Sequence, residues 1–83
     1  MAAVPPEVKI LDYRRFPSMD PKRIGKEDVL ISYMFGAEGP FTITIPYEEI
    51  AGLSETSALE KIRDYIRKAQ EERLRFIGKS FTL

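Results

Sequence analysis

A small α+β domain is what this sequence predicts: a three-stranded antiparallel sheet packed by one long C-terminal helix, with room for a short fourth strand at the end. Three observations carry that expectation. Residues 28–47 alternate apolar and polar side chains with the period of two that half-buried strands require. Residues 57–77 place apolar side chains at spacings of three and four, the period of an amphipathic helix. The 83 residues can enclose one small core and no more, so a single domain over 1–83 is expected.

The first six residues, MAAVPP, contain neither the basic start nor the apolar run of a signal peptide and are expected to be a flexible terminus. Val8 to Arg15 (VKILDYRR) is expected to form the first strand, although Ile10 and Leu11 are adjacent and spoil its alternation. In the connection that follows, Asp20 suits an N-cap, Pro21 the first helical position and Gly25 the closing turn, so a single helical or 3₁₀ turn is expected.

The hairpin is the clearest feature. Val29, Ile31, Tyr33 and Phe35 alternate with Leu30, Ser32 and Met34, and Phe41, Ile43 and Ile45 alternate with Thr42 and Thr44. Gly36 to Pro40 between them reads as a loop of four or five residues. Pro46 lacks the N–H a ladder needs, so the strand should stop there. Glu48 and Glu49 then belong to a turn running to Gly52, with Tyr47 and Ile50 beneath it.

The helix is expected from Ser57 to Ile77, with Ser57 and Glu60 as a capping box. Ala58, Leu59, Ile62, Tyr65, Ile66 and Ala69 form its apolar stripe, while Glu60, Asp64, Arg67, Glu71 and Arg75 form an alternating-charge stripe. Asp64 with Lys68 and Glu71 with Arg75 stand at the i,i+4 spacing of helix ion pairs. Gly78 is the expected C-cap. Such a helix would be roughly 30 Å long against about 20 Å for a six-residue strand, so its last turns should overhang the sheet. Leu74, Phe76 and Ile77 fall in that overhang, and Phe81 and Leu83 follow in a tail over 79–83. These five residues are the candidate protein interface, unless the tail folds back as the fourth strand.

Composition limits the chemistry. The chain has no Cys, His or Trp, so thiol nucleophiles, Cys/His zinc sites, Ser-His-Asp triads and disulfides are excluded. Thirteen basic residues balance thirteen acidic ones. By thirds the charge is +2 over residues 1–27, −5 over 28–56 and +3 over 57–83. The middle third holds no Lys or Arg, as strands buried on one face would. Absence of Asn and a single Gln, beside abundant Glu, Lys, Arg and Ile, would suit a thermophilic source. Without a leader, a membrane-length apolar run or a cysteine, the chain reads as soluble and cytoplasmic.

Several motifs dissolve on inspection. Gly78-Lys79-Ser80 resembles the end of a phosphate-binding loop, but Arg73 stands where that motif needs glycine, and the motif must open a helix rather than follow one. Arg14, Arg15, Lys22, Arg23 and Lys26, with Tyr13 and Phe16 among them, are the candidate nucleic-acid contacts, yet an isoelectric point near 6.3 is far from a basic footprint. The layout is similar to that of the arm-binding domains of phage-type integrases, a likeness of element order that reaches no motif and implies no shared function. Glu48-Glu49 and Asp12/Asp20 are the carboxylate groupings that would suggest acid–base work or a hard metal ion, and so small a domain has little room for the cleft that acid–base catalysis needs. The leading expectation is therefore a non-enzymatic interaction or assembly module, a homodimer or a small subunit, with no cofactor and no membrane contact. A nucleic-acid accessory protein is the alternative, and a small enzyme or metal-binding domain the weakest.

Overall fold

In the computed structural model, which describes residues 7–83, strands β1 (Val8–Pro17), β2 (Glu27–Phe35) and β3 (Glu38–Pro46) form an antiparallel sheet in the order β1-β2-β3. One helix, α1 (Glu55–Phe76), packs on one face of it. This is the α+β architecture expected. The terminus expected to be flexible, residues 1–6, lies outside the described residues.

β2 is paired on both sides, and its alternation decides the layers. Val29, Ile31 and Tyr33 are fully buried and stand beside Ile45, Ile43 and Phe41 of β3. Ile62 and Ile66 of α1 close over them, with Ile50 sealing the end below β3. The opposite face is mixed: it carries Lys9, Asp12, Arg14 and Phe16 on β1, Leu30, Ser32 and Met34 on β2, and Thr42 and Thr44 on β3, with none of them fully buried.

Asp20 caps the 3₁₀ turn Pro21–Arg23 by accepting a hydrogen bond from the Lys22 amide at 2.9 Å, with proline at the first helical position as expected. The turn over Tyr47–Glu49 likewise follows Pro46 and leaves Ile50 buried.

Several expectations need correction. The hairpin loop is not four or five residues but two, Gly36 and Ala37, with Gly36 at φ +63° supplying the left-handed conformation that a tight turn needs. Gly39 and Pro40 are absorbed into β3 as a bulge opposite Met34. Gly39 has φ +128°, and a Cβ there would lie 3.0 Å from the Met34 sulfur and 3.1 Å from the Tyr33 carbonyl oxygen. β1 extends to Pro17, two residues further than expected, with a bulge between Ile10 and Asp12. That bulge absorbs the adjacent Ile10 and Leu11 that had spoiled the alternation.

α1 begins at Glu55 and ends at Phe76, so the range 57–77 is displaced at both ends. Ser54, not Ser57, is the N-cap, and its hydroxyl accepts from the Ser57 amide at 3.2 Å. Ile77 takes the C-cap position, and Gly78 follows with φ +84°. Neither expected i,i+4 ion pair forms; α1 instead pairs Asp64 with Arg67 at 3.6 Å, three residues apart in the same acid-before-base order. The tail adds no fourth strand, and Phe81 and Leu83 are exposed.

The length argument for an overhang also fails. Strands of nine and ten residues span about 30 Å, nearly matching the roughly 33 Å of a 22-residue helix. The mismatch lies in width. A helix is about 10 Å across and strands lie about 4.8 Å apart, so α1 covers β2 and β3 while β1 stays exposed along almost its whole length.

The consequence for stability is specific. Ile66→Ala should cost about 2–5 kcal/mol, whereas Leu59→Ala, at a half-exposed position on the open flank of α1, should cost less than about 1 kcal/mol. Denaturant unfolding of the two variants checks the contrast, and equal losses would place α1 differently on the sheet.

Candidate functional site

Two surfaces hold the candidate residues: the ion-paired end of the sheet and the open side of β1. The first is built by the connection between β1 and β2, which the Asp20 cap folds back on the sheet. Arg23 sits at its centre. Its guanidinium forks onto the Glu48 carboxylate and also donates to Asp28 at 2.9 Å and to the Glu27 carbonyl oxygen at 3.0 Å. Its Nε is buried without a hydrogen-bond partner. The hydrogen bond to Glu48 drives Arg23 still further toward its charged form. The same bond, helped by a backbone donor, holds the Glu48 carboxyl down at about 2, against an ordinary value of 4.5.

Arg15 is engaged beside it. Its guanidinium donates to Glu27 at 2.9 Å and lies 4.1 Å from the centre of the Tyr47 ring. The Glu27 hydrogen bond raises its pKa further. Arg14 pairs with Asp12 at 2.8 Å. Of the five candidate nucleic-acid contacts, Arg14, Arg15 and Arg23 are thus engaged within the chain, while Lys22 and Lys26 take part in none of the ion pairs among the described residues. Glu48 and Glu49 part company: Glu48 binds Arg23, and Glu49 accepts a hydrogen bond from the Tyr65 hydroxyl of α1. Burial, followed by that hydrogen bond, pushes the Tyr65 phenol up to about 12. These shifted groups are spent on joining the loops and α1 to the sheet.

The second surface follows from the uncovered strand. With the bulge between Ile10 and Asp12, the register places Val8, Ile10, Tyr13 and Arg15 of β1 on the same face as the buried β2 residues. α1 does not reach over them. A cleft of about 280 Å³ runs between Val8 and Ile10 on one side and Leu59, Ile62, Arg63 and Ile66 on the other. A neighbouring cleft of about 310 Å³ continues past Val8, Phe35 and Gln70 to Leu74. Leu74 and Ile77 then line a third, of about 550 Å³, against the hairpin tip at Phe35 to Glu38. Leu74 thus joins this open side to the candidate interface at the C-terminal end. Leu74, Phe76 and Ile77 are each more than half exposed, and Phe81 and Leu83 more so.

Sequence reasoning missed one residue that shapes these surfaces and gave another a different role. Gln70 is the only buried residue of polar type among the described residues, and its amide donates to the Tyr33 hydroxyl at 2.9 Å inside the core. Its spacing of four from Ile66 and eight from Ile62 was the available signal. Arg23 was singled out only as a candidate nucleic-acid contact, and nothing local pointed to its ion pairs, because its carboxylate partners lie 5 and 25 residues away. No protein-family model matches the chain, and neither a curated protein nor a solved structure shows significant similarity to it. No helix among the described residues is long and apolar enough to cross a membrane.

The Arg23–Glu48 contact has a pH signature. A carboxyl held at about 2 in the fold and near 4.5 when unfolded contributes stability that is complete above pH 4.5 and is lost as pH falls toward 2. Thermal unfolding across that window should show a falling Tm, and Glu48→Gln should flatten the fall while lowering Tm at neutral pH. A pH dependence unchanged by Glu48→Gln would show that the contact adds nothing to stability in solution.

Proposed function

We propose that the chain is a non-enzymatic protein-interaction or assembly module, acting by self-association or as a small subunit of a larger complex, and that it binds through the side of the sheet that α1 leaves open. One observation carries this reading: the helix-side face of β1 and the adjacent flank of α1 form a continuous, mainly apolar cleft, from Leu59 through Ile10 and Val8 to Leu74, rimmed by Arg63, Arg67 and Glu71, and no element among the described residues lies above it. Contiguous apolar surface of this kind marks docking sites more often than it is left to water. The C-terminal group Leu74, Phe76, Ile77, Phe81 and Leu83 extends the surface at one end.

Titration supports the non-enzymatic part. Functional groups of enzymes gather shifted pKa values in a cleft, whereas here Glu48, Arg23, Arg15 and Tyr65 lie in contacts that hold elements together, away from the apolar cleft. The alternative, contact with nucleic acid through Arg14, Arg15, Lys22, Arg23 and Lys26, draws less from the geometry, because three of the five are already committed to acidic partners.

Light scattering on the chain from about 10 μM to about 1 mM, the span of moderate to weak affinities, should show a mass above the monomer that rises with concentration. Ile10→Asp, placed in the cleft, should return the chain to the monomer with its circular dichroism unchanged. Truncation after Gly78 should weaken association without unfolding the chain, since Phe81 and Leu83 belong to no element. A strict monomer throughout would remove self-association, and unfolding of the truncated chain would return the tail to the core.

A further inference from the structure

The exposed strand has an edge as well as a face, and the edge carries charge in an order that suits a second copy of itself. Among the described residues β1 has β2 as its only strand neighbour, so one row of its backbone N–H and C=O groups has no strand partner there over most of ten residues. We propose, building on the interaction reading above, that two copies of this chain pair β1 to β1, antiparallel, about a twofold axis through Tyr13, to give a continuous six-stranded sheet.

The register follows from faces and charges. A twofold axis normal to the sheet keeps both helices on the same side, so residues opposed across the seam must share a face. The ladder with β2 sorts β1 into Val8, Ile10, Tyr13 and Arg15 on the helix side and Lys9, Asp12, Arg14 and Phe16 on the other, with Leu11 as the bulged residue. Centring the axis on Tyr13 sets Tyr13 against Tyr13 and Asp12 against Arg14 of the second copy. Passing over the bulge, Ile10 then meets Arg15, Lys9 meets Phe16, and Val8 meets Pro17. Every pair matches in face, no like charges are opposed, and symmetry makes the Asp12–Arg14 contact twice.

Neighbouring registers fail. An axis on Asp12 opposes the two Asp12 carboxylates and sets Lys9 against Arg14, whereas an axis on Arg14 opposes two guanidiniums. Like charges directly opposite destabilise a strand pair. Axes between residues mix the two faces, which sends Tyr13 to the solvent side. An axis on Ile10 avoids such clashes and sets Asp12 against Lys9, but it pairs only Val8 to Tyr13, whereas the axis on Tyr13 pairs the strand from Val8 to Pro17. Charges and a bulge are the devices by which edge strands block indiscriminate pairing, and on β1 they leave the Tyr13 register as the one that pairs the whole strand.

One further observation agrees. Net charge is zero, so copies do not repel one another. Pairing also joins the two open clefts into one trough, with the Tyr13 pair in its floor.

Charge reversal tests the seam with the chain itself as the probe. Asp12→Lys alone and Arg14→Glu alone each place like charges across the axis twice, and each should weaken self-association at least tenfold in sedimentation equilibrium. An equimolar mixture of the two variants should recover it as a heterodimer, because opposite charges then meet at both contacts. The intrachain Arg14–Asp12 bridge is broken in every molecule of that mixture, so its recovery reads the contact between copies. Circular dichroism confirms that each variant is folded. If the unmodified chain associates but single reversals leave its affinity unchanged, or the mixture fails to recover it, the β1 seam is overturned and the broader interaction reading stands. A chain that is monomeric at about 1 mM overturns the seam and self-association together.

Discussion

The fold turns on a disparity of widths. One helix covers two strands, and this chain has three. Since β2 is central and the stripe Ile62, Ile66 and Gln70 settles over β2 and β3, Val29, Ile31, Tyr33 and Ile45 become fully buried while no residue of β1 is buried. A second helix would have closed the other half. Everything distinctive about the surface, from the cleft beside Leu59 to the exposed edge of β1, follows from its absence.

A core this small needs help in fixing the position of its parts, and polar contacts supply it. Hydrophobic burial sets no register by itself, because an apolar stripe slides on an apolar face at little cost. Three contacts resist such sliding along α1. Tyr65 reaches Glu49 at the middle of the helix, Gln70 reaches Tyr33 five residues further on, and Arg73 reaches Glu38 and lies 4.7 Å from the Phe41 ring centre near the end. Arg23 performs the equivalent task for the β1–β2 connection, drawing it to β2 through Asp28 and to the turn after β3 through Glu48. The Gln70–Tyr33 bond matters most for position, because a buried amide displaced from its hydroxyl would be left unsatisfied.

Much of this was legible in the residues, and what was not has a common cause. Alternation in β2 and β3 and the three-and-four spacing in α1 are local signals, and they located the sheet, the helix and most of the buried set. The cap at Asp20 and the end of β3 at Pro46 are equally local. By contrast, the length of the hairpin loop depended on whether Gly39 and Pro40 would be accommodated as a bulge opposite Met34, which is a property of the pair of strands. Helix boundaries slipped because two serines, Ser54 and Ser57, are both competent caps and only the turn before them selects between them. The candidate interface at Leu74, Phe76 and Ile77 came from a comparison of lengths that the longer strands remove, yet those residues are exposed all the same. Their exposure comes from where α1 lies on the sheet, which no local pattern reports.

The division between the two surfaces bears on how the molecule works. Groups whose pKa is shifted, Arg15, Arg23, Glu48 and Tyr65, cluster where loops meet the sheet; Arg15, Arg23 and Glu48 face partners of opposite charge, and the Tyr65 phenol donates to the Glu49 carboxylate. The open side is lined largely by Val8, Ile10, Leu59, Ile66 and Leu74, with Arg63, Arg67 and Glu71 at its rim. On the proposed reading, a surface so composed would dock chiefly through shape and unpaired backbone, so burial and strand pairing would set the affinity and charge would choose the register. On β1 the residues placed for that choice are Asp12 and Arg14, which stand on either side of Tyr13 and bring opposite signs to the same face of the strand.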